Sequence, residues 1–485
     1  MVRDTFYLDP IQGSLNGNGK SPSSPVKSLP DSVLGKPGIT ILYKKGIVVR
    51  GDFSVFSGIP DAPTIVGSYG KGNKPVFMKS INLDSTKYWI KENGNIWKCT
   101  KNLKETACAN IIYNNDEYCG AMRWRKDDLK KQGDWYMIDT IGGRFRFGGA
   151  LYIYSKENPA KLYGAIEYVP AGNFHSFKGN DSCIIVEDIH IKNAGTHGLW
   201  FNGGHNITIR RCDISFIGGA VFTPRIGKNG LWVRYGNAIE IWKKGRYLTI
   251  EQCNIYENYD AGFVAQGSCG ADCIDSVVVR NNVFKNNGFD NFDNSWGKSI
   301  SRVYFENNTC INAGDGWAYE TEGRPRLSEF LPDTIGWHIF LDSFALDKST
   351  IWIRNNIFYN ATGNKLLKVK KLPVGGWPNV HLDYNCYYQK NPKDALVQIA
   401  DAIYGSNNFK DYQLSTGKDV HSIVADPLFV DPEHGDYHLR SNSPCINAGF
   451  INKLKVNKTG LSAHDAEKHD MGAFEYIPTD KSFLK

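Results

Sequence analysis

A phrase of alternating apolar and polar residues recurs along most of this 485-residue chain. Its β-branched and aromatic residues alternate with polar ones, which indicates strands with one buried face. Each copy bends at a corner containing Asn or Cys and continues as a second short strand, so every repeat predicts two strands and their turns. The copies are "CIIVEDIHI" (183–191), "NITIRRCDI" (206–214), "YLTIEQCNI" (247–255), "SVVVRNNVF" (276–284), "RVYFENNTC" (302–310), "TIWIRNNIF" (350–358) and "NVHLDYNCY" (379–387).

The spacing of these copies predicts how they assemble. Their starts lie 23 to 48 residues apart, with a basic unit of 23–29 residues and two longer insertions. A repeat of this length without helical periodicity predicts a solenoid whose coils stack over one continuous core. Leucine-rich repeats would show regular Leu and a helix, and propeller blades would need longer repeats. We therefore predict an all-β fold, a right-handed single-stranded parallel β-helix.

The segment 87–170 has a different composition. It is rich in Trp, Tyr, Lys and Arg, as in "MRWRKDD" and "GDWYMID", and its pattern is typical of antiparallel strands joined by turns. We predict that it is a small inserted antiparallel β-domain that forms one wall of a cleft. The predicted divisions are an N-terminal cap with the first coils (1–86), the inserted domain (87–170), the main parallel β-helix (171–450) and a closing segment (451–485).

Composition and charge narrow the function only slightly. Hydrophobic residues make up 41% and charged residues 22%, as in ordinary globular proteins. The net charge of +7 has no long basic run, so it weakly favours an anionic partner and argues against a nucleic-acid-binding protein. No apolar stretch reaches about 18 residues, so no transmembrane helix is predicted. The first residues lack the apolar core of a signal peptide, which predicts either no export by that route or a leader outside this sequence.

The eleven cysteines are too widely spread for a disulfide framework. Cys269 and Cys273 could close a short loop. Cys212 and Cys253 occupy equivalent places in successive repeats and are interpreted as small buried hydrophobic residues. No Cys/His set has the spacing of a zinc site.

Both ends of the chain resemble a known group of enzymes. The opening "TFYLDPIQGSLNGNGKSPSSPVKSL" (5–29) is similar to the first coil of right-handed parallel β-helix carbohydrate-active enzymes, and "ADPLFVDPEHGDYHLRSNSPCINAG" (425–449) with "HDMGAFEY" (469–476) resembles their closing coils. That group contains glycoside hydrolases and polysaccharide lyases, and several of its glycosidases carry a similar inserted β-domain. The resemblance implies a protein that is extracellular, periplasmic or associated with a phage particle.

Stacked coils predict columns of outward side chains along the solenoid. We align the strands "HGLWF", "NAIEIW", "AGFVAQ", "DNFDNSW" and "DGWAYETE" so that Leu199, Ile239, Phe263, Phe292 and Trp317 face the core. One outward column then contains Trp200, Glu240, Val264, Asp293 and Ala318. The next column contains Trp242, Gln266, Ser295 and Glu320, with Glu322 beyond it.

Carboxylates beside aromatic platforms are what glycosidic hydrolysis needs, because one acid protonates the leaving oxygen while a base or nucleophile acts on the sugar ring. Asp293 and Glu320 are the first candidates for this pair, roughly 8 Å apart by strand geometry, with Glu240 and Glu322 in support. The predicted substrate-binding residues are Trp200, Trp242, His197, Gln266, Arg324, Arg225 and Lys228.

The alternatives to hydrolysis stay open at this stage. A polysaccharide lyase would neutralise a uronate and remove a proton, with Arg225, Lys228 and Arg324 among the cations available. A non-catalytic glycan-binding spike is a third possibility. No cofactor is required for hydrolysis, although the carboxylates could instead bind Ca²⁺. The predicted partner is a polysaccharide, for which an anionic glycan is compatible, while the sugar, the linkage and the oligomeric state are left open.

Overall fold

The computed structural model describes residues 4–103, 107–137, 139–141, 144–146, 149–226, 232–267, 273–295, 300–320, 335–342, 346–450 and 469–478. These residues form a solenoid of three parallel sheets, so the parallel β-helix predicted from the repeats is confirmed. Sheet 1 consists, in spatial order, of Asp4–Leu8, Ile39–Lys44, Thr64–Tyr69, Ser182–Glu187, His205–Arg210, Gly245–Glu251, Ile274–Arg280, Ser301–Glu306, Thr350–Arg354 and Val380–Asp383.

The other two parallel sheets are built from the shorter strands of each coil. Sheet 2 consists of Val48–Arg50, Val76–Met78, His190–Lys192, Asp213–Ser215, Asn254–Tyr256, Val283–Lys285, Thr309–Ala313, Ile357–Ala361, Cys386–Tyr388 and Ile423–Val424. Sheet 3 consists of His175–Phe177, Leu199–Phe201, Ile239–Ile241, Phe263–Ala265, Asp290–Ser295, Trp337–Asp342, Leu367–Val369, Ala395–Ile399 and an antiparallel last strand, Ala402–Gly405.

The remaining strands and helices lie outside the three sheets. Two hairpins pair Ala220–Ile226 with Trp232–Tyr235 and Phe429–Asp431 with Asp436–Leu439. The α-helical segments are Pro159–Leu162, Trp317–Glu320 and Phe409–Thr416, and the 3₁₀ turns are Asp31–Val33, Thr86–Tyr88, Lys126–Asp128, Ser406–Asn408 and Pro432–His434. No helix in the described part of the chain is long and apolar enough to span a membrane.

Six successive coils turn from sheet 1 to sheet 2 through a single residue with positive φ. This conformation is costly for most residues and least costly for Gly and Asn, which explains the recurrent Asn at the corner. The following residue is a buried Cys or Asn that points inward. The positive-φ corner residues are Arg211, Gln252, Asn281, Asn307, Asn355 and Tyr384, with φ between 52° and 57°.

The inward Asn residues satisfy backbone groups at these corners. The Asn308 amide donates to the Val279 carbonyl at 2.9 Å, and its side-chain oxygen accepts the backbone N–H of Asn282 at 3.0 Å. Asn356 and Asn385 repeat the arrangement in the next coils. We call these stacked Asn side chains the corner ladder. Because buried backbone groups need hydrogen-bond partners, the corner ladder takes the place of water at a bend where the backbones of neighbouring coils cannot pair.

Opposite charges alternate along the outer face of sheet 1. Arg210 lies 2.6 Å from Glu187, and two further arginine–glutamate pairs each have N–O distances of 2.7 Å. We call this column the charge ladder, and in register order its members are Glu187, Arg210, Glu251, Arg280, Glu306, Arg354 and Asp383. Cross-strand pairs of opposite charge stabilise neighbouring strands.

Antiparallel strands follow the first coils. One sheet contains Ile81–Asn82, Cys108–Tyr113, Tyr118–Cys119 and Ile166–Pro170, a second contains Trp89–Asn93, Ile96–Cys99, Trp135–Tyr136 and Tyr152–Tyr154, and Asp139–Ile141 pairs with Arg144–Arg146. The two four-stranded sheets enclose a core of their own around Trp135 and Tyr168. A second apolar cluster joins this domain to the solenoid, since Ala109 and Ile112 pack with Tyr259, Trp317 and Trp337. A bidentate pair between Arg50 and Glu167 adds a polar contact.

Candidate active site

One outward column of sheet 3 contains the candidate residues. The strand registers align Trp200, Glu240, Val264 and Asp293 in successive coils, as the sequence predicts. The core column is also in the predicted register, because Leu199, Ile239, Phe263 and Phe292 are each fully buried on the opposite face. Beyond Asp293 the outward column continues with Phe340, Lys368 and Gln398.

The prediction of an outward strand over 315–322 is wrong. Gly314 and Gly316 have φ of 81° and 85°, and residues 317–320 then form one turn of helix. Trp317 packs outside the solenoid core, where its ring centroid lies 5.1 Å from that of Tyr259. The strand after Asp290–Ser295 is Trp337–Asp342, so Phe340 rather than Ala318 lies beside Asp293 in the column and Asp342 rather than Glu320 pairs with Ser295. Trp317 therefore does not fill the core position predicted for it.

This correction removes the first predicted catalytic pair. Glu320 is on the helical turn and not on the strand beside Asp293, so the roughly 8 Å spacing derived for it from strand geometry does not apply. Its side chain, together with Glu322, Arg324 and Lys228, lies outside the described residues. Arg225 lies on the strand Ala220–Ile226, and its side chain is likewise not described.

Glu240 and Asp293 are buried although they point away from the solenoid core. Their exposed fractions are 1% and 4%. They are two coils apart, which corresponds to about 9.6 Å between their Cα atoms at a strand spacing of about 4.8 Å. Each has one oxygen, Glu240 Oε1 and Asp293 Oδ1, to which no group in the described residues donates a hydrogen bond. A buried carboxyl oxygen without a donor is costly when ionised, so this arrangement favours the protonated form.

The Glu240 carboxyl is held from one side by Asn237 and His197. Asn237 Nδ2 donates to Glu240 Oε2 at 2.5 Å, and His197 Nδ1 lies 3.9 Å from the same oxygen. Burial lowers the pKa of His197 to about 3, and its Nδ1 accepts the backbone N–H of Asn237 at 3.2 Å. His197 is therefore neutral, and its contact with Glu240 is not an ion pair.

Burial raises the pKa of Glu240 well above its ordinary value, and the charges of Asp293 and Asp260 raise it further. The hydrogen bond from Asn237 opposes this shift without cancelling it. Glu240 consequently keeps its proton to a higher pH than an ordinary glutamic acid, as a general acid requires.

Asp293 is surrounded by more hydrogen-bond donors. Burial raises its pKa to about 7, hydrogen bonds from Ser295 and Gln266 lower it, and the charge of Asp260 raises it. Gln266 Nε2 lies 3.3 Å from Asp293 Oδ2. Asp293 therefore loses its proton near neutral pH.

Two tryptophans continue the site towards the N-terminal coils. Trp200 precedes Glu240 in the column and is half-buried, whereas Trp242 is 42% exposed two residues after Glu240. Residues missed by sequence reasoning are Asn237 and, as a charge acting on both carboxyls, Asp260. Asn237 stands three residues before Glu240 in "NAIE". This spacing alone does not indicate that the two side chains are hydrogen-bonded.

The described residues contain no group of three or more His, Cys, Asp or Glu side chains placed to hold a metal ion. Calcium binding by the wider cluster therefore stays a prediction. Cys273 is disulfide-bonded, as the predicted loop closure requires, while Cys269 lies outside the described residues. Cys212 and Cys253 are free and buried, as the repeat pattern predicts.

Comparison with known protein families supports the architecture. A family model described as "Right handed beta helix region" matches residues 171–329. The solenoid is a right-handed parallel β-helix. The resemblance found at the two ends of the sequence is thus confirmed in its fold. No curated protein sequence matches the chain.

Several solved structures share this architecture at low identity. One titled "Glycoside hydrolase" is 12% identical with a TM-score of 0.48, covering 81% of this chain and 89% of its own. Pectate lyase Pel9A is 13% identical with a TM-score of 0.45 and covers 98% and 97%. An alginate lyase from Paenibacillus sp. str. FPU-7 is 14% identical with a TM-score of 0.42 and covers 76% and 88%. A shared fold does not determine a reaction, which has to be argued from the side chains.

Proposed function

We propose that this β-helix protein hydrolyses glycosidic bonds in a polysaccharide, with Glu240 as general acid and Asp293 as general base. The observation that carries the proposal is the pair of buried carboxyl groups in one outward column, whose pKa values are both raised by burial and which have different hydrogen-bond donors. Two carboxyl groups in different environments are suited to different proton-transfer roles.

The hydrogen bonds support this assignment of roles. Glu240 receives one donor, from Asn237, and keeps its proton because burial opposes ionisation. Asp293 receives donors from Gln266 and Ser295, which stabilise its carboxylate. In this mechanism Glu240 gives its proton to the leaving glycosidic oxygen, while Asp293 removes a proton from the water that attacks the anomeric carbon.

The two-coil separation supports an inverting reaction. About 9.6 Å between Cα atoms lies just above the range of about 6.5–9.5 Å found between the carboxyl groups of inverting enzymes and well above the about 5–5.5 Å of retaining enzymes, and side chains that leave the same face of the sheet keep a similar spacing. A water molecule fits between the sugar and the base at the larger distance. Trp200 and Trp242 would stack on sugar rings on the N-terminal side of the pair.

A uronate-directed lyase is the runner-up and is less well supported. A uronate group would add a negative charge beside Glu240, Asp260 and Asp293. Among the described residues no lysine or arginine forms an ion pair with Glu240 or Asp293. His197 is a weak candidate base, since its Nδ1 lone pair is already used.

The proposal extends to the compartment and the cofactor. The disulfide at Cys273 supports a location in an oxidising compartment, outside the cytoplasm. Hydrolysis by two carboxyl groups requires no metal, and we expect chelation by EDTA to leave the rate unchanged. A rate that falls on chelation and returns with Ca²⁺ would contradict this part of the proposal.

Digestion of a panel of neutral, amino-sugar and uronate polysaccharides tests the function. We expect new reducing ends from a neutral or amino-sugar glycan, without the ultraviolet absorbance of an unsaturated uronate. Asp293→Asn and Glu240→Gln should each abolish the release of reducing ends, whereas Asp401→Asn, at an exposed turn, should not. Unsaturated products would establish the lyase instead, and glycan binding without any cleavage would establish a binding protein.

A further inference from the structure

The side-chain amide of Asn237 is fixed at both of its atoms. Its Oδ1 accepts the backbone N–H of Ala261 at 2.9 Å, and a backbone N–H can only donate. The Nδ2 group must therefore be the atom that faces Glu240, where it donates to Oε2 at 2.5 Å. A flipped amide would place two donors against each other at Ala261 and two acceptors against each other at Glu240.

The backbone of Asn237 also fixes the neighbouring imidazole. Its N–H donates to His197 Nδ1 at 3.2 Å, so the proton of the neutral ring is on Nε2. His197 Nδ1 is the imidazole atom that lies 3.9 Å from Glu240 Oε2. With its lone pair engaged by Asn237, it has no proton to give to Oε2 and is not free to accept one.

These contacts leave a single favourable position for the proton of Glu240. The Oε2 atom accepts from Asn237, and the carbonyl oxygen of a carboxylic acid is a better acceptor than its hydroxyl oxygen. The Oε1 atom is buried and receives no hydrogen bond from the described residues. We propose that Asn237 is a positioning residue that keeps the acid proton of Glu240 on Oε1, the oxygen to which no group of the described residues donates a hydrogen bond. The catalytic meaning of this placement rests on the proposed function, whereas the placement itself does not.

Infrared spectroscopy can detect the proton position without any substrate. At about pH 8, where ordinary carboxyl groups are ionised, the carboxylic C=O band lost in Glu240→Gln identifies Glu240. If Oε2 is the carbonyl oxygen, the hydrogen bond from Asn237 lowers the frequency of this band. We expect Asn237→Ala to move the band to higher frequency. An unmoved band would overturn the proposal, since it would mean that the carbonyl oxygen is Oε1.

Two further variants separate this effect from a general loss of structure. Asn173→Ala is a matched control, because Asn173 accepts a hydrogen bond from the backbone N–H of His197 and donates one to the Ser176 hydroxyl. We expect this substitution to leave the Glu240 band at its wild-type frequency. Asn237→Asp keeps an oxygen for Ala261 while removing the donor to Glu240, and it replaces Asn237→Ala if that variant does not fold. In Asn237→Asp the carboxylic C=O band of Glu240 should also differ in frequency from that of wild type, and an unchanged frequency would contradict the proposal.

Once a substrate is known, kinetics give an independent measurement. Asn237→Asp should lower kcat by about tenfold or more, a part of the roughly 10²–10⁴-fold supplied by a positioned general acid, with little change in KM. The alkaline limb of the kcat profile should move to higher pH, because Glu240 loses a hydrogen bond that favours its ionised form. Among the described residues, the other titratable groups around Glu240 are His197, Tyr235, Asp260 and Asp293.

The two measurements keep the two proposals distinguishable. A band that moves in Asn237→Ala while no glycan is cleaved supports the placement of the proton and contradicts the proposed function. Cleavage that depends on Glu240 and Asp293 together with an unmoved band supports the function and overturns the role of Asn237. A change in kcat without a shift of the alkaline limb would indicate a purely structural role and would also overturn it.

Discussion

Replacement of Asp293 by Asn should make the protein more stable above neutral pH. The substitution preserves the size of the side chain and removes only its ability to ionise. Burial raises the pKa of Asp293 from an ordinary 3.8 to about 7 in the folded state. The stability contributed by its bound proton is therefore fully present below pH 3.8 and is lost as the pH rises through about 7. The Asn variant cannot lose a proton and avoids this loss.

The size of the effect follows from the shift in pKa. The rise from 3.8 to about 7 is worth about 4 kcal/mol at about 1.4 kcal/mol per pKa unit. An unfolding entropy of about 2.1 cal/mol/K per residue gives about 1 kcal/mol/K for the whole chain. The advantage of Asp293→Asn over wild type should therefore grow by about 4 °C in Tm between about pH 4 and pH 8.

Thermal unfolding followed by calorimetry across this pH range is the measurement. Each comparison is made between variant and wild type at one pH, so effects of other titrating groups cancel. Asp401→Asn, at an exposed turn, is the matched control and should show a difference that does not vary with pH. An Asp293→Asn difference equally independent of pH would refute the inference that this carboxyl is buried and proton-bearing.

Three further predictions test the catalytic pair, the substrate platform and the corner ladder. Glu240→Gln should lower the cleavage rate by about 10²–10⁴-fold, and NMR of the wild-type product should show inverted anomeric configuration; retention would contradict the Glu240–Asp293 pair. Trp242→Ala should raise KM more than it lowers kcat in steady-state kinetics, because its exposed ring, two residues after Glu240, would stack on a sugar ring. Asn308→Ala should lower the free energy of unfolding in urea by about 3 kcal/mol, since it leaves the Asn282 N–H and the Val279 carbonyl without a partner. Asn254→Ala, at an exposed position, is the control, and an effect of Asn308→Ala as small as that of Asn254→Ala would argue against the corner ladder.

Much of the fold, and the outward column that contains both proposed catalytic residues, could be predicted from the sequence. Period-two alternation decides which residues of a strand face the core, and the repeat decides which strands are neighbours. Together they place Glu240 and Asp293 in one outward column. The prediction failed at Glu320 because Gly314 and Gly316 allow the chain to leave the solenoid, where Trp317 finds an apolar partner in Tyr259. Alternation alone cannot distinguish such an exit from another strand.

The burial of Glu240 and Asp293 could not be predicted in this way. An outward position in an isolated β-helix implies contact with water, yet Glu240 and Asp293 are almost fully buried. The surroundings of the site are built from segments distant in sequence; for example, Arg234 binds the carbonyl of Ala109 in the inserted domain. Such packing depends on tertiary contacts that leave no periodic signal, and the raised pKa values follow from it.

The charge ladder on sheet 1 restricts how the solenoid can change its length during evolution. Removing one coil, such as that of Glu251, would bring Arg210 beside Arg280 at about 4.8 Å, and like charges on neighbouring strands repel. Removing two consecutive coils restores the alternation. Along this face the protein would therefore gain or lose coils most readily in pairs, because only a duplication or deletion of an even number of coils keeps opposite charges on neighbouring strands.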